Sequence, residues 1–392
     1  MSKKCSAIGL IIAVSIIITS PAAGQITIEP PYDTVYTFLD LGSVPGVPPL
    51  YGGLSFILDD PDTLIIGGHA NTAAGSLYAI TVVRDDSNHV IGFNGSASYF
   101  ADAAYNDGGV VYGPDDVLFL SRWPVNEMGQ NKFGSTTTDK IIDLYDVGVA
   151  YSHAALNFVP PGFPGEGQMK LVSWSGGQWY TAYYSPDGAG TYDIDSATYE
   201  TSIIGGPEGF IYVPPGSPLF ADYNSMLVSE YSAGQVATYE LDADGDPVPA
   251  SRVSFITGLT GAEGAAIDPL TGDFLFSTFG GGDRVIVVQG FAAPGVSENI
   301  TRGMWNSFEL KQNEPNPFSR HTTITFSIRH SSDITLKVYD ILGQEITILV
   351  DGHVPAGTHA VTWNASGVAS GVYICRFEAG GFVAERKLLL LK

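Results

Sequence analysis

The chain is poor in charge and nearly free of cysteine. Asp, Glu, Lys and Arg make up 15% of its 392 residues, against roughly 25% in an average soluble domain. The two cysteines, Cys5 and Cys375, are too few for a disulfide scaffold. After residue 24 no run approaches the roughly 20 apolar residues of a membrane helix. No segment there keeps a 3.6-residue apolar period either, which argues against helical bundles. The sequence contains no Gly-x-Ser-x-Gly, no His-Glu-x-x-His and no phosphate loop, so a serine or zinc hydrolase is disfavoured. Positive charge is scarce too: 18 Lys and Arg face 41 Asp and Glu, a net charge of −23. A body this acidic repels nucleic acid and anionic membrane surfaces.

What the chain does have is 47 glycines, 24 prolines and 11% aromatics, a mix suited to short strands and tight turns and hence to an all-β fold. Lys3 and Lys4, the apolar stretch Ile8 to Thr19 and the small residues Ala22-Ala23-Gly24 read as a signal peptide over residues 1–24, cleaved before Gln25, with export through the Sec machinery. Cys375 is then unpaired. It alternates with Tyr373 and Phe377, as a buried structural thiol in a strand would.

Residues 25–294 carry an internal repeat. Its units open at Gly52-Gly53, Asp107-Gly108, His153-Ala154, Glu208-Gly209 and Glu263-Gly264. Each opening is followed by strand patterns separated by Pro- or Asp-rich turns. Five units of about four strands predict a β-propeller of five blades, and the long units leave room for a sixth. The last unit lacks an outer strand. Thr34 to Gly42 has the missing pattern, so the N-terminal strand is expected to complete the last blade and close the ring.

Residues 295–307 read as a linker, and residues 308–392 as a separate module. Eight basic and eight acidic residues balance between Trp305 and Lys392. Seven short strand patterns there predict an immunoglobulin-like β-sandwich. The series "LKQNEPNPF", "VYDILGQEI", "AGTHAVTW" and "ASGVYICRFEAG", with a basic-apolar end, resembles the type A C-terminal sorting domain of type IX secretion. The residues carrying the likeness are Pro315, Asn316, Pro317, Phe318, Gly343, Gly371 and Tyr373. The resemblance implies handling by the type IX machinery, delivery to the medium or the outer cell surface, and attachment to surface lipopolysaccharide as one fate.

Strands of a propeller converge on a central channel, where ligands bind. Glu208, Glu263 and His153 open three of the repeats, with Gly52 and Gly108 in the other two. Two carboxylates and an imidazole on one axis would suit Ca2+ or another divalent cation. "GAEGAAIDPLTGDFLFSTF" resembles blades of NHL and gluconolactonase-like propellers. That likeness implies a metal-ligand role for the Glu of a Glu-Gly opening, and a metal-dependent lactonase-like hydrolase as the alternative to simple binding. The polar insert with Asn131 and Lys132, and the aromatic cluster with Trp174 and Trp179, are the candidate ligand-binding surfaces. Asp242 to Asp246 looks like the start of a calcium loop, but position 12 would be Val253, so a hairpin turn is expected. The sequence favours an exported propeller that binds a glycan, protein or cation.

Overall fold

The computed structural model describes residues 25–220, 224–293, 308–328, 332–341, 343–354, 357–379 and 382–392. The signal peptide expected at 1–24 and the linker expected at 295–307 lie outside the described residues. Among those residues, no helix is long and apolar enough to cross a membrane.

Five antiparallel sheets follow one another along the chain. Their inner strands are Leu54–Ile57, Asn106–Tyr112, His153–Phe158, Pro207–Tyr212 and Ala262–Ile267. From each inner strand the chain meanders outward through the sheet, so sequence order equals spatial order within each blade apart from the N-terminal strands added to blades 4 and 5. These strands read as nearly continuous buried runs, because both faces of each sheet are covered. Successive side chains serve opposite neighbours. In blade 4, Met226 and Val228 pack with Trp179 of blade 3, while Leu227 between them packs with Phe274 and Phe276 of blade 5. Blade 1 divides in the same way: Leu64 and Ile66 meet Leu275 and Val287, and Ile65 meets Val110 and Leu118. A further cluster joins blades 2 and 3 through Phe119, Met128, Leu156 and Leu171. Five interblade cores linking five sheets in a cycle make a closed propeller.

Closure works as the sequence suggests. Thr37–Gly42 pairs antiparallel with Val285–Gln289, Phe38 opposite Val288 and Leu39 opposite Val287. Blade 5 is thus built from both ends of the propeller segment, and its edge is covered. Thr27–Ile28 adds a short fifth strand to blade 4, opposite Thr257 and Ile256. Between these two additions, Tyr32 and Tyr36 lock into Phe220, Phe255 and Phe291.

The C-terminal residues form two further sheets. One orders Phe308–Leu310, His321–Ile328 and Gly357–Asn364; the other orders Glu345–Val354, Ser332–Asp340, Gly371–Ala379 and Phe382–Leu390. Between them lies one core containing Leu336, Val338, Phe326, Trp363, Phe377 and Leu388. Cys375 belongs to that core and is fully buried, and burial pushes its thiol up to about 12. The Pro-Asn-Pro-Phe segment pins the last strand. The Asn316 amide donates to the Lys387 carbonyl and its oxygen accepts from the Leu389 N–H. Phe318 is buried against Trp363. The flanking prolines have no N–H to offer, and the Asn316 side chain supplies the missing donor.

Candidate metal centre and channel mouth

The inner strands of blades 2, 4 and 5 begin with β-bulges. In blade 4, Pro207 pairs with Glu230 and Gly209 with Ser229, which leaves Glu208 as the extra residue. In blade 5, Ala262 pairs with Thr278 and Ala265 with Phe276, so Glu263 falls in the bulge. In blade 2, Asn106 pairs with Arg122 and Val110 with Leu120, and Asp107 lies in the irregular stretch between. A bulge takes its residue out of the ladder and re-aims the side chain. Here the three side chains meet: carboxylate oxygens of Asp107, Glu208 and Glu263 all lie within 4.8 Å of one another. With only five blades the inner strands approach closely across the axis. A Cβ on Gly108 would fall 1.8 Å from the Glu208 carbonyl oxygen, so only glycine fits beside the acid.

The three carboxylates are buried, at 0%, 6% and 1% exposure respectively. Burial raises all three pKa values. Asp107 is pushed up to about 7, a rise moderated by hydrogen bonds with Glu263, Glu208 and Asn71 and from the Gly108 backbone. Glu208 and Glu263 rise well above the usual carboxylate range, through burial and then the charge of Asp107, with Glu263 adding to Glu208. No cation figures among the groups that set these shifts. Glu208 Oε2, Glu263 Oε1, the Asn71 amide oxygen and both oxygens of Asp107 are buried without a hydrogen bond of good geometry, so the Asn71 and Gly108 donors near Asp107 satisfy it only weakly. Three ionised carboxylates cannot share such a site. Either protons stay on them or a cation joins them. Oxygens bound to one Ca2+ at about 2.3–2.6 Å can be at most about 5 Å apart, and the triad meets that condition. The donor set is all oxygen, which suits Ca2+ or Mg2+ over softer metals.

His153 stands outside this group. It pairs in the ladder with Ser173, and Ala155 pairs with Val172. The bulge position in blade 3 is therefore Ala154, one residue later. His153 is fully buried, its backbone N–H bonded to the Asn126 side-chain oxygen. Burial drives its imidazole down to about 3, with only the Val172 backbone opposing, so it is neutral. The third member of the carboxylate cluster is Asp107, with Gly108 its neighbour, and His153 is not part of it. The repeat spacing sets Asp107, not Gly108, level with Glu208 and Glu263.

In blades 2 to 5 the residue after the second strand donates its N–H to the carbonyl just before the inner strand, and blade 1 has a comparable bond further from its strands. These pairs are Trp123 to Tyr105, Trp174 to Ser152, Tyr231 to Gly206 and Phe279 to Gly261, with Ala70 to Leu50 in blade 1. Four of five blades thus carry an aromatic residue at one structural position, each half-buried. Trp123 and Trp174 meet edge to face at 6.4 Å, and Tyr231 and Phe279 at 6.2 Å. The Tyr231 hydroxyl is pushed up by burial and then by Glu263, Glu208 and Asp107, so this one member of the collar lies within electrostatic reach of the triad. Sequence reasoning found Trp174 alone. The overlooked signal was an aromatic repeating one position after the second strand.

The other candidates lie elsewhere. Asn131 ends the third strand of blade 2, opposite Leu118, at the far end of the ring from Asp107. It is buried and donates to the Asp102 carbonyl. Lys132 follows it and pairs with Asp139 at 3.7 Å. Trp179 is fully buried, 4.4 Å from Phe210, and its Nε1 donates to Asp246 at 2.8 Å. It is part of the blade 3–blade 4 core. Asp246 also holds Lys170 at 2.6 Å. The Asp242 to Asp246 segment is a turn in which Asp242 Oδ1 accepts from the backbone of Asp244 and Asp246.

Comparison with known proteins separates the two parts of the chain. Residues 315–391 match the secretion system C-terminal sorting domain family. Domains of this family mark proteins for secretion or attachment to the cell surface. No curated protein matches the chain. Among solved structures, PorZ of Porphyromonas gingivalis, described as an essential surface component of the type IX secretion system, matches at 12% identity and a TM-score of 0.32, over 86% of this chain and 51% of that one. The chain therefore spans about half of that protein. A candidate glucose dehydrogenase of Thermus thermophilus matches at 10% identity, TM-score 0.38, over 64% of this chain and 99% of the other. The propeller domain of Cps50 from Myceliophteria thermophila matches at 9% identity, TM-score 0.32, over 60% and 82%.

Proposed function

We propose that this is an exported propeller that holds a divalent cation, Ca2+ by preference, between Asp107, Glu208 and Glu263, and binds its ligand at the channel mouth above that ion. The observation that carries the reading is the triad: three carboxylates from three blades, buried together without a cationic partner. Isolated charges of this kind cost several kcal/mol each when buried unpaired, and a bound cation removes that cost. Asn71 is the neighbouring amide that would complete the protein's side of the coordination. All three carboxylates converge on one point, which commits them to the ion and favours binding over a hydrolase that needs a free base.

Ca2+ titration followed by thermal unfolding and calorimetry tests this. The expected result is a cation-dependent rise in Tm that saturates, as ligand linkage requires, and that disappears in the Asp107→Asn, Glu208→Gln, Glu263→Gln variant. If that variant keeps its native circular dichroism and the same Tm rise, the triad is not the site.

A further inference from the structure

The loop from the outer strand of blade 2 to the inner strand of blade 3 carries two exposed tyrosines. Tyr145 and Tyr151 are 51% and 52% exposed. Their rings lie 6.4 Å apart and nearly parallel, at 17°. Other tyrosines are as exposed, but these two stand together as a parallel pair, and it is contiguous exposed apolar surface that marks a binding site. They are also held in place. Asp143 caps the short helix Leu144–Val147 by accepting from the Tyr145 N–H. The buried Asn126 donates to the Val149 carbonyl and accepts from the His153 N–H. The Ala150 N–H donates to the Tyr180 hydroxyl. Ordering these rings therefore costs a ligand little conformational entropy.

The pair adjoins the collar. Tyr151 precedes Ser152, whose carbonyl accepts the Trp174 N–H, and Trp174 contacts Trp123. The two aromatic pairs are thus joined through the Ser152 backbone, one residue from Tyr151. Hydroxyls accompany them: Ser232 is exposed and sits with Trp174 Nε1 around Gly206. A ligand that matches has repeated rings, each with an apolar face for stacking and a polar rim for hydrogen bonds. Its charge is set by the surroundings. The whole chain carries −23, so an anionic polymer is repelled.

We propose that the channel mouth binds a neutral carbohydrate chain, stacked on Tyr145 and Tyr151 and led onto Trp174 and Trp123. The inference rests on the reading of the mouth as the ligand face, and it holds whether or not the triad contains a cation. It specifies the ligand by class: hexopyranose units in linear linkage, without uronate or sulfate groups.

The experiment measures binding of cellohexaose, laminarihexaose, maltohexaose and chitohexaose to the full mature protein by calorimetry and tryptophan emission. Hexagalacturonate is the anionic comparison, and each titration is run with Ca2+ and with a chelator. At least one neutral oligosaccharide is expected to bind and to change the emission, and hexagalacturonate is not. The Tyr145→Ala, Tyr151→Ala variant is expected to lose at least about tenfold in affinity while retaining the Tm of the parent. Binding that survives chelation would separate this proposal from the cation reading, supporting the first without the second. The inference is overturned if no neutral oligosaccharide binds below about 10 mM, if hexagalacturonate binds in their place, or if the tyrosine variant binds unchanged.

Discussion

Asp107 is the residue on which most of the chemistry turns. Folding raises its pKa to about 7, chiefly by burial, and Glu208 and Glu263 move in the same direction. A carboxyl that keeps its proton in the folded state beyond its unfolded pKa makes the folded state bind more protons. Stability of the cation-free protein should therefore fall as pH rises from about 4 toward 7 and above. Saturating Ca2+ should flatten that decline, because the ion replaces the protons. For the same reason the apparent affinity for Ca2+ should rise with pH. Thermal unfolding between pH 4 and 8, with and without Ca2+, checks both signs. The Asp107→Asn variant should be more stable than the parent at pH 8 without cation, by on the order of 2–4 kcal/mol. Lys170 gives the opposite case. It is fully buried and paired with Asp246. Lys170→Met leaves that carboxylate uncompensated and should cost about 3–5 kcal/mol, read from denaturant unfolding. At this scale the sequence was legible in part. Glu208 and Glu263 stood out because a Glu-Gly pair is conspicuous. Asp107 and Ala154 did not, because which residue occupies a bulge depends on ladder pairing, and pairing is not written in the spacing alone.

Among the elements, the strand Thr37–Gly42 has the largest leverage. It covers Val285–Gln289, which would otherwise be an open edge of apolar residues. Removing residues 25–42 also removes Tyr32 and Tyr36 from the aromatic cluster between blades 4 and 5. The truncated protein should melt well below the parent and aggregate on concentration, as light scattering would show; an unchanged Tm would mean that the ring does not depend on this closure. The outer strand was readable beforehand because blade 5 visibly lacked one and the N-terminal segment had its pattern. The collar was not readable, since Trp123, Trp174, Tyr231 and Phe279 share a position in space while the strand lengths between them differ.

For the whole molecule, two β-units follow one another along the chain. The propeller carries the acidic excess, and the C-terminal sandwich is balanced in charge. The match over 315–391 places the export instruction in that sandwich. Deleting residues 308–392 should leave the propeller inside the outer membrane of a type IX-secreting host, which cell fractionation would reveal. The two-sheet character of the tail and the ring of blades were both visible in strand periodicity and repeat length. Strand pattern alone left the ligand open among glycan, protein and cation, because a binding surface assembles from separate blades.

The most direct measurement is crystallographic. Crystals grown with Mn2+ or soaked in Tb3+, both oxygen-seeking ions with anomalous signals, should give one peak on the channel axis. It should lie within about 2.6 Å of an oxygen from each of Asp107, Glu208 and Glu263. A peak-free triad at saturating ion and neutral pH, with the carboxyls bonded only to one another, would contradict the cation-centred propeller.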